Sequence, residues 1–258
     1  MKRSVFLSLA VFVIYIFNSQ VSHGVLAQEN ILDVETIVDK VDKLYRSRTS
    51  QGQLEMTIVS ENWTRTLKME VWTEGLDSTF IHISYPRKDA GIATLRIKNE
   101  MWNYFPKINK VMKVPPSMMM SSWMGSDFTN DDLVKESSMK KDYVYRLIHP
   151  EDAEPSNYYI ELIPKKDIPI VWDRIHLVVR KKDYIPVLQV YFDEKGRKMR
   201  EMVFSEIKTF SGREIPSVLE MTPLNKPGKK TVIIYRDIKF DIKLEKDVFT
   251  LRNLQKKR

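Results

Sequence analysis

Cysteine is absent from all 258 residues. That excludes disulfides, thiolate nucleophiles and thiolate metal sites, and it leaves no residue to acylate at an N-terminal cleavage site. A secreted eukaryotic domain would often carry disulfides, so their absence favours a bacterial periplasm. Histidine is nearly as scarce. Beyond the N-terminal region only His82, His149 and His176 occur, and no two stand at metal-ligand spacing. There is no G-x-S-x-G elbow, no P-loop and no dinucleotide fingerprint. The adjacent acids Asp131 and Asp132 suit helix capping better than acid–base work. No enzyme activity and no cofactor are expected, and a hydrolase of lipid esters lacks both nucleophile and base. Met118, Met119, Met120 and Met124 carry soft thioethers of the kind Cu(I) takes. Three consecutive side chains do not converge easily on one ion, however, and no Cys or His stands nearby.

Long apolar runs are missing too, with one exception. After the basic Met1-Lys2-Arg3, residues Val5 to Phe17 form an apolar stretch. It has the length of a signal-peptide core and falls short of the roughly 20 residues a membrane span needs. Val25-Leu26-Ala27 offers a cleavage site, so residues 1–27 are expected to be a signal peptide and residues 28–258 one exported domain. Removing the leader takes away Lys2 and Arg3 and no acid, which lowers the formal charge from +8 to about +6. The bases are interleaved with acids, as in "RKMREMVFSEIK" (Arg197 to Lys208), and no basic aromatic stripe predicts nucleic acid as a partner.

What is present is periodicity. Val34, Ile37, Val38, Val41, Leu44 and Tyr45 recur at three- and four-residue steps and predict a long amphipathic helix over Ile31–Arg48. The period then becomes 2. Leu54, Met56 and Ile58 alternate with polar residues, as do Leu67, Met69 and Val71, then Ile81, Ile83 and Tyr85, then Ala93, Leu95 and Ile97. Short strands follow around 101–105 and 111–114, and seven more from Tyr143 to Phe240. "DEKG" (Asp193 to Gly196) reads as a hairpin turn, and the tail "DVFTLRNL" (Asp247 to Leu254) is apolar enough to dock on the body. About a dozen antiparallel strands with one apolar face must curl. The expected fold is mainly β: a curled, incompletely closed antiparallel barrel with a long N-terminal helix.

One segment breaks the strand pattern. "VPPSMMMSSWMGSDFTNDDL" (Val114 to Leu133) is too irregular for a strand and too apolar for an ordinary surface loop. Thr129 to Asp132 cap a short central helix containing Leu133 and Val134. Methionine is unbranched and adapts to an irregular apolar surface, so this segment is either a mobile lid over a lipid-sized hollow or a packed plug. The expected lining or gate comprises Met69, Val71, Ala93, Leu95, Ile97, Met118, Met119, Met120, Trp123, Met124 and Phe128. In an alternative, the curled sheet is a docking subunit of an envelope export permease, with Trp63, Trp72 and Tyr104 as exposed anchors.

The stretches Tyr85–Ser117 and Trp123–Leu133 resemble the outer membrane lipoprotein-sorting, LolA-like family. So do Arg180–Arg197, Gly212–Ile233 and "FTLRNL" (Phe249 to Leu254). The most specific part is "GSDF" (Gly125 to Phe128) set shortly after Trp102–Pro106. The resemblance implies a periplasmic carrier with an apolar concavity under helical lids. Its implied cargo is the acyl chains of lipoproteins or another lipid. Its implied partners are an inner-membrane export permease or an outer-membrane acceptor.

Overall fold

The computed structural model describes residues 33–134, 139–166 and 170–256. A helix, α1 (Val34–Asp42), leads into β1 (Thr49–Ser60), β2 (Trp63–Glu74), β3 (Ser78–Tyr85), β4 (Ala93–Ile97), β5 (Glu100–Phe105) and β6 (Lys110–Lys113). After an irregular stretch come two short helices, α2 (Asn130–Val134) and α3 (Met139–Asp142). Then follow β7 (Tyr143–Ile148), β8 (Asn157–Pro164), β9 (Arg174–Arg180) and β10 (Pro186–Phe192). The chain ends with β11 (Lys198–Phe210), β12 (Arg213–Pro223), β13 (Lys230–Phe240) and α4 (Leu251–Leu254).

All thirteen strands join one sheet in the order β6-β5-β4-β3-β2-β1-β13-β12-β11-β10-β9-β8-β7, and every neighbouring pair is antiparallel. Two meanders meet at β1 and β13. Tight turns make this possible: Ser211 and Gly212, which join β11 to β12, both take positive φ (47° and 79°), as a type I′ hairpin requires. The sheet is not closed into a barrel, in keeping with the incomplete closure expected: β6 and β7, at its two ends, do not pair with each other. Residues from β1 (Met56) and β8 (Leu162) nonetheless wall the same cavity, so the sheet curls.

The topology imposes one further feature. The first meander finishes at one edge of the sheet and the second starts at the opposite edge. The connection between β6 and β7 therefore has to cross the sheet, and it does so over the concave face. We refer to residues 114–134 as the strap.

The N-terminal helix is shorter than its periodicity suggests. It spans Val34–Asp42, with Ile37, Val38 and Val41 buried; the expected first residues, Ile31 and Leu32, lie outside the described residues. Beyond Asp42 tertiary contacts win over helix propensity. The Tyr45 hydroxyl donates to the Pro216 carbonyl at 2.7 Å and its ring stacks on Tyr235 at 5.3 Å. Thr49 already belongs to β1.

Candidate functional site

The concave face is apolar because the inward positions of the central strands are. Met56, Ile58, Leu67, Met69, Ile81 and Ile83 form one buried cluster with Trp123 of the strap, and Leu54, Val71, Met124, Phe128 and Leu133 pack against it. Register explains the grouping: Met69 lies opposite Ile83, and Val71 opposite Ile81.

The strap is tied to both halves of the sheet by polar contacts. The Trp123 ring is buried and its Nε1 donates to Thr94 Oγ1 at 3.2 Å. Arg65 of β2 donates to the Met124 carbonyl. Thr231, fully buried in β13, donates to Asp127 Oδ2 at 2.7 Å and accepts from the Asp127 N–H at 2.9 Å. At the far end Asp132 holds both guanidinium nitrogens of Arg200 on β11, at 2.7 and 2.8 Å. Arg200 is buried against the rings of Trp172 and Tyr191, 4.5 and 4.3 Å from their centroids. Asp132 also caps its own helix: it accepts from the Thr129 N–H, while its own N–H donates to Thr129 Oγ1. Burial pushes the Asp132 carboxyl up. The Arg200 guanidinium and the Thr129 donors outweigh that and hold it below the usual carboxylate range. The same carboxylate raises Arg200 against the effect of its burial. The pair is therefore charged at neutral pH.

Beneath the strap the packing is incomplete. A cavity of about 280 Å³ lies between α2 and the second meander, lined by Tyr143, Leu162, Tyr191, Met202, Leu219 and Met221 among others. A second, of about 200 Å³, lies against the first meander between Leu54, Met69, Val71, Ile81 and Trp123. The two share Met56, Asp132, Leu133, Ile233 and Tyr235 as walls, so the Leu133 side chain stands where they meet. A third space, of about 310 Å³, opens beside Phe128, Trp172 and Arg200 toward Trp63 and Met120. Among the described residues no group of three or more His, Asp or Glu is placed to hold a metal ion.

The eleven residues expected to line or gate the hollow separate into three sets. Met69, Val71, Trp123, Met124 and Phe128 come together on the concave face. Met118 and Met120 are exposed on the strap, with Met119 half-buried beside them. Ala93, Leu95 and Ile97 lie on the other face of the sheet. Leu95 is opposite Phe80 and Ala93 opposite His82, and these residues pack with Trp72 under the C-terminal tail, against Val248, Phe249 and Leu254. Trp72 is accordingly buried and not the exposed anchor expected of it, whereas Trp63 is exposed and Tyr104 half-buried. Three residues escaped the sequence reading. Leu133 was read as helix interior, and Asp132 only as a cap. Arg200 is separated from Asp132 by 68 positions. Its one visible signal is a charge at the inward parity of β11, in step with Met202 and Phe204.

Comparison with solved structures gives the curled antiparallel sheet a LolA-like fold. A DUF1329 family protein from Desulfovibrio piger superposes with a TM-score of 0.77 at 22% identity, covering 85% of this chain and 97% of that one. A domain from Vibrio parahaemolyticus, described as outer membrane lipoprotein-sorting, gives 0.73 at 20% identity over 86% and 98%. A LolA superfamily protein from Nitrosomonas europaea gives 0.70 at 18% over 85% and 98%. No curated protein matches the chain by sequence. The model of a family described as uncharacterized proteins matches residues 75–256, about seven-tenths of the chain, and the chain belongs to that family.

Proposed function

We propose that the protein is an exported carrier that shelters the acyl chains of lipoproteins or lipids in the hollow beneath the strap. It would work in the periplasm after loss of residues 1–27, with an inner-membrane export permease or an outer-membrane acceptor as its partner. The observation that carries the proposal is the pair of cavities of about 280 and 200 Å³ that meet at Leu133, apolar over most of their walls, with the Asp132–Arg200 pair and Gln189 at one side of the larger. Each alone is small for a ligand site; united by a shift of α2 they reach the usual range of roughly 300–1,000 Å³. Burying each CH₂ contributes about 0.8 kcal/mol, so a chain of ten carbons supplies on the order of 8 kcal/mol before the costs of ordering it. Such binding needs no catalytic residue. The likeness in fold to lipoprotein-sorting and LolA superfamily proteins supports the same reading.

The test is native mass spectrometry of protein purified from the periplasm, together with titration of a fluorescent fatty acid. The expected result is an added lipid mass and saturable probe uptake. A bare protein that takes up no probe would contradict the proposal.

A further inference from the structure

The two ends of the sheet differ. At one end lie the tips of the β1–β2, β10–β11 and β12–β13 hairpins, the β5–β6 turn and the connection from β8 to β9. The third cavity opens there, with Trp63, Met120, Lys226 and Lys229 all in its wall. Exposed apolar side chains gather at this end: Trp63 (47%), Ile108 (58%), Met120 (46%), Val171 (47%) and Leu224 (40%). At the opposite end, among the described residues, the strand-connecting loops expose no large apolar side chain. Charges of both signs occur at each end: the apolar end carries the basic "NKPGK" (residues 225–229) along with Asp193 and Glu194, and the other end carries the acidic "HPEDAEPS" (residues 149–156) along with Lys181 and Lys182. Lys226 and Lys229 are exposed; Glu61 lies against Gly228 of the same turn, and Asp127 shares the wall of this mouth. Asp127 is already engaged with Thr231.

Exposed apolar residues gathered on one surface mark a contact site. Tryptophan beside lysine at a rim is the combination that suits a membrane interface, where the ring sits at headgroup depth and the ammonium meets phosphate. We propose that this end docks on a bilayer surface bearing anionic lipid, with Trp63 and Leu224 entering the interface and Lys226 and Lys229 facing the phosphates. The mouth beside Phe128 then opens toward the membrane, so an acyl chain passes between bilayer and hollow with little exposure to water. The inference extends the carrier reading by naming the surface that cargo crosses.

Vesicle flotation tests it, with phosphatidylcholine alone or with about a third phosphatidylglycerol. The protein should float with the anionic vesicles and much less with the neutral ones. Lys226→Glu/Lys229→Glu should lower binding by about tenfold or more, since each base near the surface matters. Trp63→Ser/Leu224→Ser should also lower it, while Lys181→Glu/Lys182→Glu at the opposite end should leave it unchanged. Absence of vesicle binding, or equal loss at both ends, overturns the proposal. So does a rim that cross-links to a membrane protein while ignoring bare vesicles, which would assign it to a protein partner. Fatty-acid probe uptake in vesicle-free buffer separates the two readings. Uptake without vesicle binding sinks only the docking surface, and vesicle binding without uptake sinks only the carrier.

Discussion

Two irregular segments lie across opposite faces of the same sheet, and they cover it differently. The C-terminal tail packs its apolar end closely; the space it leaves, of about 580 Å³, is an open groove with a largely charged rim, between Arg48, Glu74, Asp241 and Lys246. Val248 and Leu254 are buried against Trp72, Phe80 and Leu95. Thr250 caps α4 by accepting from the Asn253 N–H, and Asn253 donates to the Val248 carbonyl at 2.8 Å. β3, between tail and hollow, is buried at six successive positions. The strap instead buries one side chain fully, Trp123, with Met124, Phe128 and Leu133 only partly buried beside it, and is held elsewhere by polar ties. It leaves two apolar spaces beneath. Protein interiors are normally close-packed and voids cost stability. A cover that packs its apolar end closely is sufficiently explained by stability. One that leaves largely apolar space under a charged clasp is what the proposed carrier would need.

Substitutions can break that contrast or sharpen it. Trp123→Ala removes the plug and should cost about 3–5 kcal/mol in urea unfolding; a cost near zero would mean the strap is not anchored there. Asp132→Ala leaves Arg200 buried and uncompensated and should cost about 3 kcal/mol, with faster loss of a bound fatty-acid probe. The pH dependence has a defined sign. The folded-state carboxyl of Asp132 lies below its ordinary value, so the clasp's contribution is complete above about pH 4 and is lost as pH falls through the depressed value. Probe release should therefore accelerate on acidification in the wild type and not in Asp132→Ala. Leu254→Ala in the tail should cost about 2–3 kcal/mol and leave probe uptake unchanged, which is the cleanest separation of the two covers. Leu133→Trp, which fills the junction of the cavities, should change stability by about 1–2 kcal/mol while suppressing uptake. Met118→Ser with Met120→Ser should shift stability by no more than about 0.5 kcal/mol each, because both side chains are exposed.

Much of the fold was legible in the sequence because period-2 alternation survives in a sheet with one dry face. The strands, the central helix beginning at Asn130 and the docked tail all fall where alternation, capping residues and apolar content place them. Alternation fixes which residues of a strand share a side, but not which side of the sheet that is. Met69 and Leu95 look equivalent in their own strands, yet the pairing of Phe80 with Leu95 sends Leu95 to the outer face. That depends on register, a tertiary property. The helix was overextended for a related reason: Leu44 and Tyr45 keep its period but are drawn to Phe210, Ile215 and Ile238 across the sheet. The clasp was hidden because Asp132 satisfies a local capping role, and its long-range partner leaves no mark beyond one misplaced charge.

The most direct measurement places a hydrocarbon chain by its heavy atom. Crystals grown with a terminally brominated fatty acid should give an anomalous bromine peak between Leu54, Val71 and Leu133, with Leu133 displaced from the junction. Bromine found only on the outer surface or against the tail, with both spaces under the strap still empty, would contradict the account.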